Sequence, residues 1–168
     1  MAERNDSGAN PTKNPTTVER TSERELVVRR TVNGPARLVF EAWTRPELFR
    51  RWWVPESFGL TLLSCEMDVR VGGQYRLVFE HGGSTMAFFG TYREVVPASR
   101  LVWTNEEEGG ETVTTVTFEE KDGKTHVVVH DLYPSKEALD AAIASGSTGG
   151  LPEQLEQLDA LLPSFESA

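Results

Sequence analysis

The sequence is poor in residue types that several classes of protein require. Its 168 residues include a single cysteine, Cys65, which rules out an internal disulfide and favours a reducing compartment. It has 17 basic residues against 26 acidic ones, for a formal net charge of −9. Nucleic acids and anionic membrane surfaces are bound by concentrated basic faces, so neither is an expected partner.

Long apolar segments are also missing. No run approaches the roughly 20 apolar residues that a membrane-spanning helix needs, so no membrane insertion is expected. Residues 1–22 are polar and contain no apolar core of signal-peptide length. We therefore predict a cytoplasmic protein with a disordered tail over 1–23, a folded domain over 24–163 and a short tail over 164–168.

The motifs that bind common cofactors are absent as well. The glycine pairs at 72–73 and 82–83 lack the strand-to-helix context of a phosphate-binding loop, and no dinucleotide fingerprint is present. His126 and His130 would lie on one face of a strand about 13 Å apart, too far for one metal ion. Cys65 has no neighbouring base in the sequence and is predicted to be a small buried hydrophobe. The sequence predicts neither a cofactor nor a metal site.

What the chain does contain is alternating hydrophobicity between two helical regions. A first strand is predicted over 25–32, and apolar residues at helical spacing then predict two short helices over about 36–53. Further strands are predicted over 58–68, 73–80, 84–95, 99–105, 112–120 and 124–132. The connections are short, so neighbouring strands pair antiparallel, and Asp122-Gly123 is the strongest hairpin signal.

The end of the chain is helical again. Ser135 can cap one helix, and a final helix carries a stripe of leucines that includes Leu151, Leu155 and Leu158. That last helix is the amphipathic element long enough to cover the sheet. The order predicts an α+β helix-grip fold, in which a curved seven-stranded antiparallel sheet, two short helices and a long C-terminal helix enclose a cavity.

Aromatic and apolar side chains on the inner face of this sheet are candidates for ligand binding. On strand 73–80, alternation places Tyr75, Leu77 and Phe79 on one face, which we assign to the interior. The full set of candidate ligand-binding residues is Trp43, Trp53, Tyr75, Leu77, Phe79, Phe88, Trp103, His130, Leu151 and Leu155. The alternative is that these residues fill an ordinary core.

His130 is the one candidate acid–base group. We predict that it faces inward with Val128 and Leu132, and that Asp131 faces solvent. An inward histidine could orient a ligand or transfer a proton. The alternative is a histidine that is hydrogen-bonded to a neighbour and has no chemical role.

Several strings of the sequence resemble one known family. They are Ala36–Thr44, Pro46–Leu48, Trp52-Trp53 with Pro55, Val71–Tyr75, Gly90–Tyr92 and Arg100–Thr104. In this order they resemble the activator-of-Hsp90-ATPase-homologue family, a branch of the START-like superfamily that includes calicheamicin-resistance-type proteins. The resemblance covers about 24–163 and implies the same helix-grip fold.

Three functions follow as hypotheses. The first is a non-catalytic carrier, sensor or sequestering protein whose partner is a hydrophobic small molecule or lipid. The second, which the superfamily also contains, is a polyketide cyclase or hydrolase that uses the same cavity with His130 as its acid–base residue. The third, ranked last, is a co-chaperone that binds Hsp90.

Overall fold

The computed structural model describes residues 16–107, 110–146, 148 and 150–165. Its strands are β1 (Thr17–Arg20), β2 (Glu25–Val32), β3 (Thr61–Met67), β4 (Gln74–His81), β5 (Ser84–Val96), β6 (Arg100–Glu107), β7 (Gly110–Lys121) and β8 (Lys124–Leu132). Its helices are α1 (Ala36–Thr44), α2 (Pro46–Phe49), α3 (Lys136–Ser145) and α4 (Gly150–Phe165), with a 3₁₀ turn over Glu56–Phe58. The predicted α+β helix-grip fold is confirmed.

The strands form one antiparallel sheet in the order β1-β2-β8-β7-β6-β5-β4-β3. Each of the seven predicted strands is present, with bounds within three residues of those expected. The Asp122-Gly123 hairpin is also confirmed, since both residues have positive φ (56° and 77°) and Lys121 pairs with Lys124. Two adjacent residues with positive φ are what a tight hairpin turn requires.

An eighth strand, β1, lies inside the predicted disordered tail. Its residues pair with β2, with Val18 opposite Val28, although all four of its side chains are exposed. The strand is held by backbone hydrogen bonds along the sheet edge, so it buries no apolar pattern that sequence reading could detect. The expected boundary at residue 23 was therefore wrong for residues 17–20, whereas residues 1–15 lie outside the described part.

The sheet bends within β5, at a bulge in its pairing. The first half of this strand pairs with β4 and its second half with β6, and the register shifts between Tyr92 and Glu94. Gly90 lies at the bend, where an added Cβ would be 1.8 Å from the carbonyl oxygen of Thr104. Only glycine allows the two backbones to approach this closely.

Helix α4 closes the interior from the other side. Leu155, Leu158 and Leu162 are buried, and the helix packs against β2 and α1. A buried ion pair joins the same elements, with Arg30 Nη2 on β2 located 3.1 Å from Asp159 Oδ2 on α4. The helix continues to Phe165, two residues beyond the expected end of the domain, and residues 166–168 lie outside the described part.

None of the helices in the described part of the chain combines the length and the apolar character that a bilayer crossing needs.

Candidate ligand-binding cavity

A cavity of about 770 Å³ lies between the inner face of the sheet, helix α3 and the start of α4. Ligand pockets in proteins commonly measure about 300–1,000 Å³ and are mostly apolar. Side chains from strands β2 to β8 form one wall, and Ala138, Ala142 and Leu151 belong to the helical wall. The dimensions suit one small organic molecule.

Eight of the ten predicted ligand-binding residues line this cavity. They are Trp43, Trp53, Tyr75, Leu77, Phe79, Phe88, Trp103 and Leu151. Strand alternation placed Tyr75, Leu77 and Phe79 on the correct face. Their location on the cavity wall is a structural fact, whereas contact with a ligand remains a prediction.

An aromatic cluster supports one side of the cavity. The ring centroid of Trp43 lies 4.7 Å from that of Trp52 and 5.7 Å from those of Trp53 and Trp103. Trp52 is fully buried behind the cavity wall, and its indole Nε1 donates to the carbonyl oxygen of Ala42 over 3.0 Å. Ring packing of this kind holds the cavity-facing surfaces of Trp43, Trp53 and Trp103 in fixed positions.

Helix α4 holds the segment that carries Trp53 and Phe58. Gln157 Nε2 donates to the carbonyl oxygens of Trp52 (3.0 Å) and Val54 (2.9 Å). Glu153 accepts from the backbone nitrogen of Ser57 over 3.0 Å, and its hydrogen bonds to Ser57 lower the pKa of the Glu153 carboxyl. The polar face of α4 thereby fixes one rim of the cavity.

The mouth of the cavity is marked by lining residues that are also exposed. Phe58 on the 3₁₀ turn is 39% exposed, and Ala141 and Ser145 on α3 are exposed as well. The opening therefore lies between the 3₁₀ turn and the end of α3. A ligand could enter there without displacing the sheet.

His130 does not face the cavity, so that prediction was wrong. It lies on the outer face of β8, where its Nε2 is 2.7 Å from Glu25 Oε2 and its side chain is 32% exposed. The run Val127-Val128-Val129 gives no indication of which face is inward, but Lys124 and His126 share the face of His130. That polar set was the available signal for an outward face. The hypothesis that His130 is a catalytic acid–base group loses its basis.

Asp131 faces the cavity instead of solvent, which corrects the second assignment on this strand. Its Oδ1 accepts a hydrogen bond from the hydroxyl of Thr114 on the adjacent strand β7. Burial raises the pKa of Asp131 to about 6, against the lowering effects of the Thr114 hydrogen bond and of positive charge on His130. The sequence did not reveal this residue because shifting the alternation of a strand by one residue exchanges every inward and outward assignment on it.

Leu155 is the other predicted residue that does not line the cavity. It is fully buried in the core beneath α4. The cavity-facing residues of α4 are Gly150, Leu151 and Gln154, which lie one turn closer to its start. The leucine stripe predicted which face is buried but not which part of the stripe meets the cavity.

A polar patch on the sheet wall consists of Asn105, Thr112, Thr114 and Asp131. Thr112 pairs with Asn105 across β7 and β6, and both line the cavity. The hydroxyl of Tyr75 donates to the carbonyl oxygen of Thr104 over 2.7 Å, next to this patch. The cavity therefore combines a largely apolar wall with one polar region, which is the usual composition of a small-molecule site.

Cys65 and the histidines form no metal site in the described residues, where no group of three His, Cys, Asp or Glu side chains comes together. Burial raises the pKa of the Cys65 thiol, whose Sγ lies 3.5 Å from Met67 Sδ. A thiol with a raised pKa beside a thioether has low reactivity.

Comparison with known proteins identifies the family. Residues 33–163 match the model of the family described as activator of Hsp90 ATPase homolog 1-like protein. The chain belongs to this family. A search of curated proteins finds no match.

Solved structures of bacterial proteins share the fold of this family member. A Rhodobacter sphaeroides protein is 26% identical over 89% of this chain and 99% of its own, with a TM-score of 0.82. A Nitrosomonas europaea protein is 22% identical over 88% of this chain and 99% of its own, with a TM-score of 0.80. A Chromobacterium violaceum protein is 28% identical over 83% and 97%, with a TM-score of 0.72. These likenesses show a shared fold, and the class of ligand is inferred from the chemistry of the cavity.

Proposed function

We propose that this protein binds one hydrophobic small molecule or lipid inside the cavity, as a carrier, sensor or sequestering protein. The observation that carries the proposal is the cavity of about 770 Å³ with a predominantly apolar and aromatic wall. Burial of a ligand's apolar surface contributes about 25 cal/mol per Å² before the costs of association. A flat or flexible hydrophobic molecule would gain most from such a wall.

The proposal of non-catalytic binding is supported by what the described wall offers chemically. A nucleophile held against a base and an orienting group is the usual arrangement in covalent catalysis. Among the described lining residues, Asp131 accepts from Thr114, and no histidine or cysteine accompanies them. The cytoplasmic location remains part of the proposal, and the free Cys65 agrees with it.

The test is an amide NMR titration of the whole chain against lipids, polyketides and aromatic metabolites. We expect one or more compounds to shift cavity resonances such as those of Tyr75, Trp103 and Leu151. Ala138→Trp places an indole on the helical wall and should weaken binding several-fold without unfolding the protein. Ala144→Trp, on the exposed side of the same helix, is the matched control and should bind as the parent does.

Two outcomes would contradict the proposal. One is that no compound perturbs the cavity residues of the folded chain. The other is that the compounds that bind shift residues on the outer face of the sheet and bind Ala138→Trp as well as the parent.

A further inference from the structure

The cavity contains one carboxyl group and no basic side chain among the residues described on its wall. Asp131 is that group, and no Lys, Arg or His shares the described lining. An ionised carboxylate removed from water is costly unless hydrogen bonds or an opposite charge compensate it. Thr114 donates one hydrogen bond to Oδ1 and supplies no positive charge. A fixed negative charge within an apolar cavity selects for a complementary ligand group.

The surroundings of the carboxyl leave room for such a group. Across the sheet, Asp131 pairs with Thr114, and Thr114 pairs in turn with Trp103 on β6. Two strand spacings separate the backbones of Asp131 and Trp103 by about 10 Å. The side chain between them is only a threonine, so the carboxylate and the indole flank a space that opens into the cavity.

Among the described residues, no neighbouring element supplies a competing cation on the cavity side. On β2 the residue opposite Asp131 is Leu26, and on α3 the cavity-facing residues are Ala138, Ala141, Ala142 and Ser145. The one basic residue of α3, Lys136, pairs with Asp140 on the same helix, and Arg20 on β1 pairs with Asp140 as well.

Three groups near Asp131 can titrate. Tyr133 shares the cavity wall. His130 lies on the opposite face of β8, within hydrogen-bond distance of Glu25. Among the described lining residues, Asp131 is the carboxyl group, and its pKa of about 6 lies in the mildly acidic range.

We propose that the cavity selects hydrophobic ligands that carry a protonated amine, and that the Asp131 carboxylate binds this amine beside the indole of Trp103. This inference rests on the proposed ligand-binding function and specifies the class of ligand. An ammonium group donates a charge-assisted hydrogen bond to the carboxylate, and an indole face attracts the same cation. The formal net charge of −9 also favours the approach of cations over anions.

The experiment uses three fluorescent probes with the same aromatic body: 1-pyrenemethylamine, 1-pyrenemethanol and 1-pyreneacetic acid. At pH 7.5 the amine is a cation, the alcohol is neutral and the acid is an anion. We expect the amine to bind the parent about tenfold or more tightly than the alcohol, the advantage of a hydrogen bond to a charged group. The anion should bind more weakly than the alcohol because it would face a second carboxylate.

Asp131→Asn keeps the shape of the side chain and removes its charge. In this variant the amine and the alcohol should bind with similar affinity, while affinity for the alcohol stays close to that of the parent. His130→Gln, on the other face of the strand, is the control and should keep the preference for the amine at pH 7.5. In the parent, affinity for the amine should rise from pH 5 to 7.5, because the pKa of Asp131 is about 6 and the carboxyl ionises over that range.

The outcomes separate the two proposals. If the alcohol binds in the cavity and the amine binds no better, or if Asp131→Asn keeps the amine preference, the inference about amines is overturned and the binding function stands. If affinity for the alcohol rises as the pH falls, Asp131 acts as a protonated donor to neutral ligands, which also overturns it. If none of the probes binds and the library titration is negative, the binding function itself fails.

Discussion

Asp131→Asn has a predicted effect on stability that depends on pH. Burial raises the pKa of Asp131 from 3.8 to about 6. Between about pH 4 and pH 6 the folded chain therefore binds more protons at this site than the unfolded chain, and stability falls as the pH rises. A difference of about two pH units between the two states corresponds to about 3 kcal/mol, with the full penalty present above pH 6.

Asparagine carries no charge and removes this penalty. The variant should match the parent near pH 4 and become more stable as the pH rises, by up to about 3 kcal/mol at pH 8. The assay is urea unfolding followed by tryptophan fluorescence at several pH values between 4 and 8. The difference between variant and parent isolates Asp131, because the other groups titrate in both proteins.

Asp140→Asn is an informative control because the sign reverses. Hydrogen bonds and charges from Lys136 and Arg20 lower the pKa of the exposed Asp140 carboxyl, so its contribution is present above its unfolded-state pKa and is lost as the pH falls. Removing that carboxyl should destabilise the protein slightly at pH 8. If Asp131→Asn is instead less stable than the parent at pH 8, or if the difference does not change with pH, the carboxyl is not held in a desolvating cavity.

Three further changes test the frame around the cavity. Asp159→Ala leaves the buried Arg30 without its carboxylate partner and should cost about 3–5 kcal/mol in urea unfolding. Arg30→Met combined with Asp159→Leu should recover most of the loss, and equal losses in the two variants would contradict this. Leu155→Ala should lower the free energy of unfolding by about 2–5 kcal/mol and leave ligand affinity in the folded state unchanged, because the side chain belongs to the core and not to the cavity wall. A loss of affinity without a loss of stability would contradict this position. Gly90→Ala forces a Cβ against the Thr104 carbonyl and should destabilise the protein by more than about 2 kcal/mol. An unchanged melting temperature in thermal unfolding would show that this position does not need glycine.

The fold was largely predictable from the sequence because its signals are local. Asp122-Gly123 specifies a turn by backbone conformation, and alternation along β4 assigns Tyr75 and Leu77 to one face. Strand β1 was not predictable in this way. Its residues bury no side chains and depend on the edge of β2, which is created only when the chain folds.

The candidate site was predictable for its apolar part and not for its polar part. Large side chains such as Trp103 and Phe88 belong inside a small domain in most arrangements, so their assignment survives small errors of register. Asp131 and His130 are adjacent on β8, and a single choice of face decides which of them enters the cavity. The wrong choice exchanged a half-buried histidine that pairs with Glu25 on the outer face for a half-buried carboxyl on the cavity wall.

The central claim is that a hydrophobic molecule binds between the sheet and helices α3 and α4. Intermolecular NOEs from bound 1-pyrenemethanol to protein methyl groups test it most directly. We expect NOEs to the methyls of Leu77, Val129 and Leu151, which come from three sides of the cavity. NOEs that connect the probe to Val128 or Leu63 and to none of the cavity methyls would place it outside the cavity and contradict binding between the sheet and the helices.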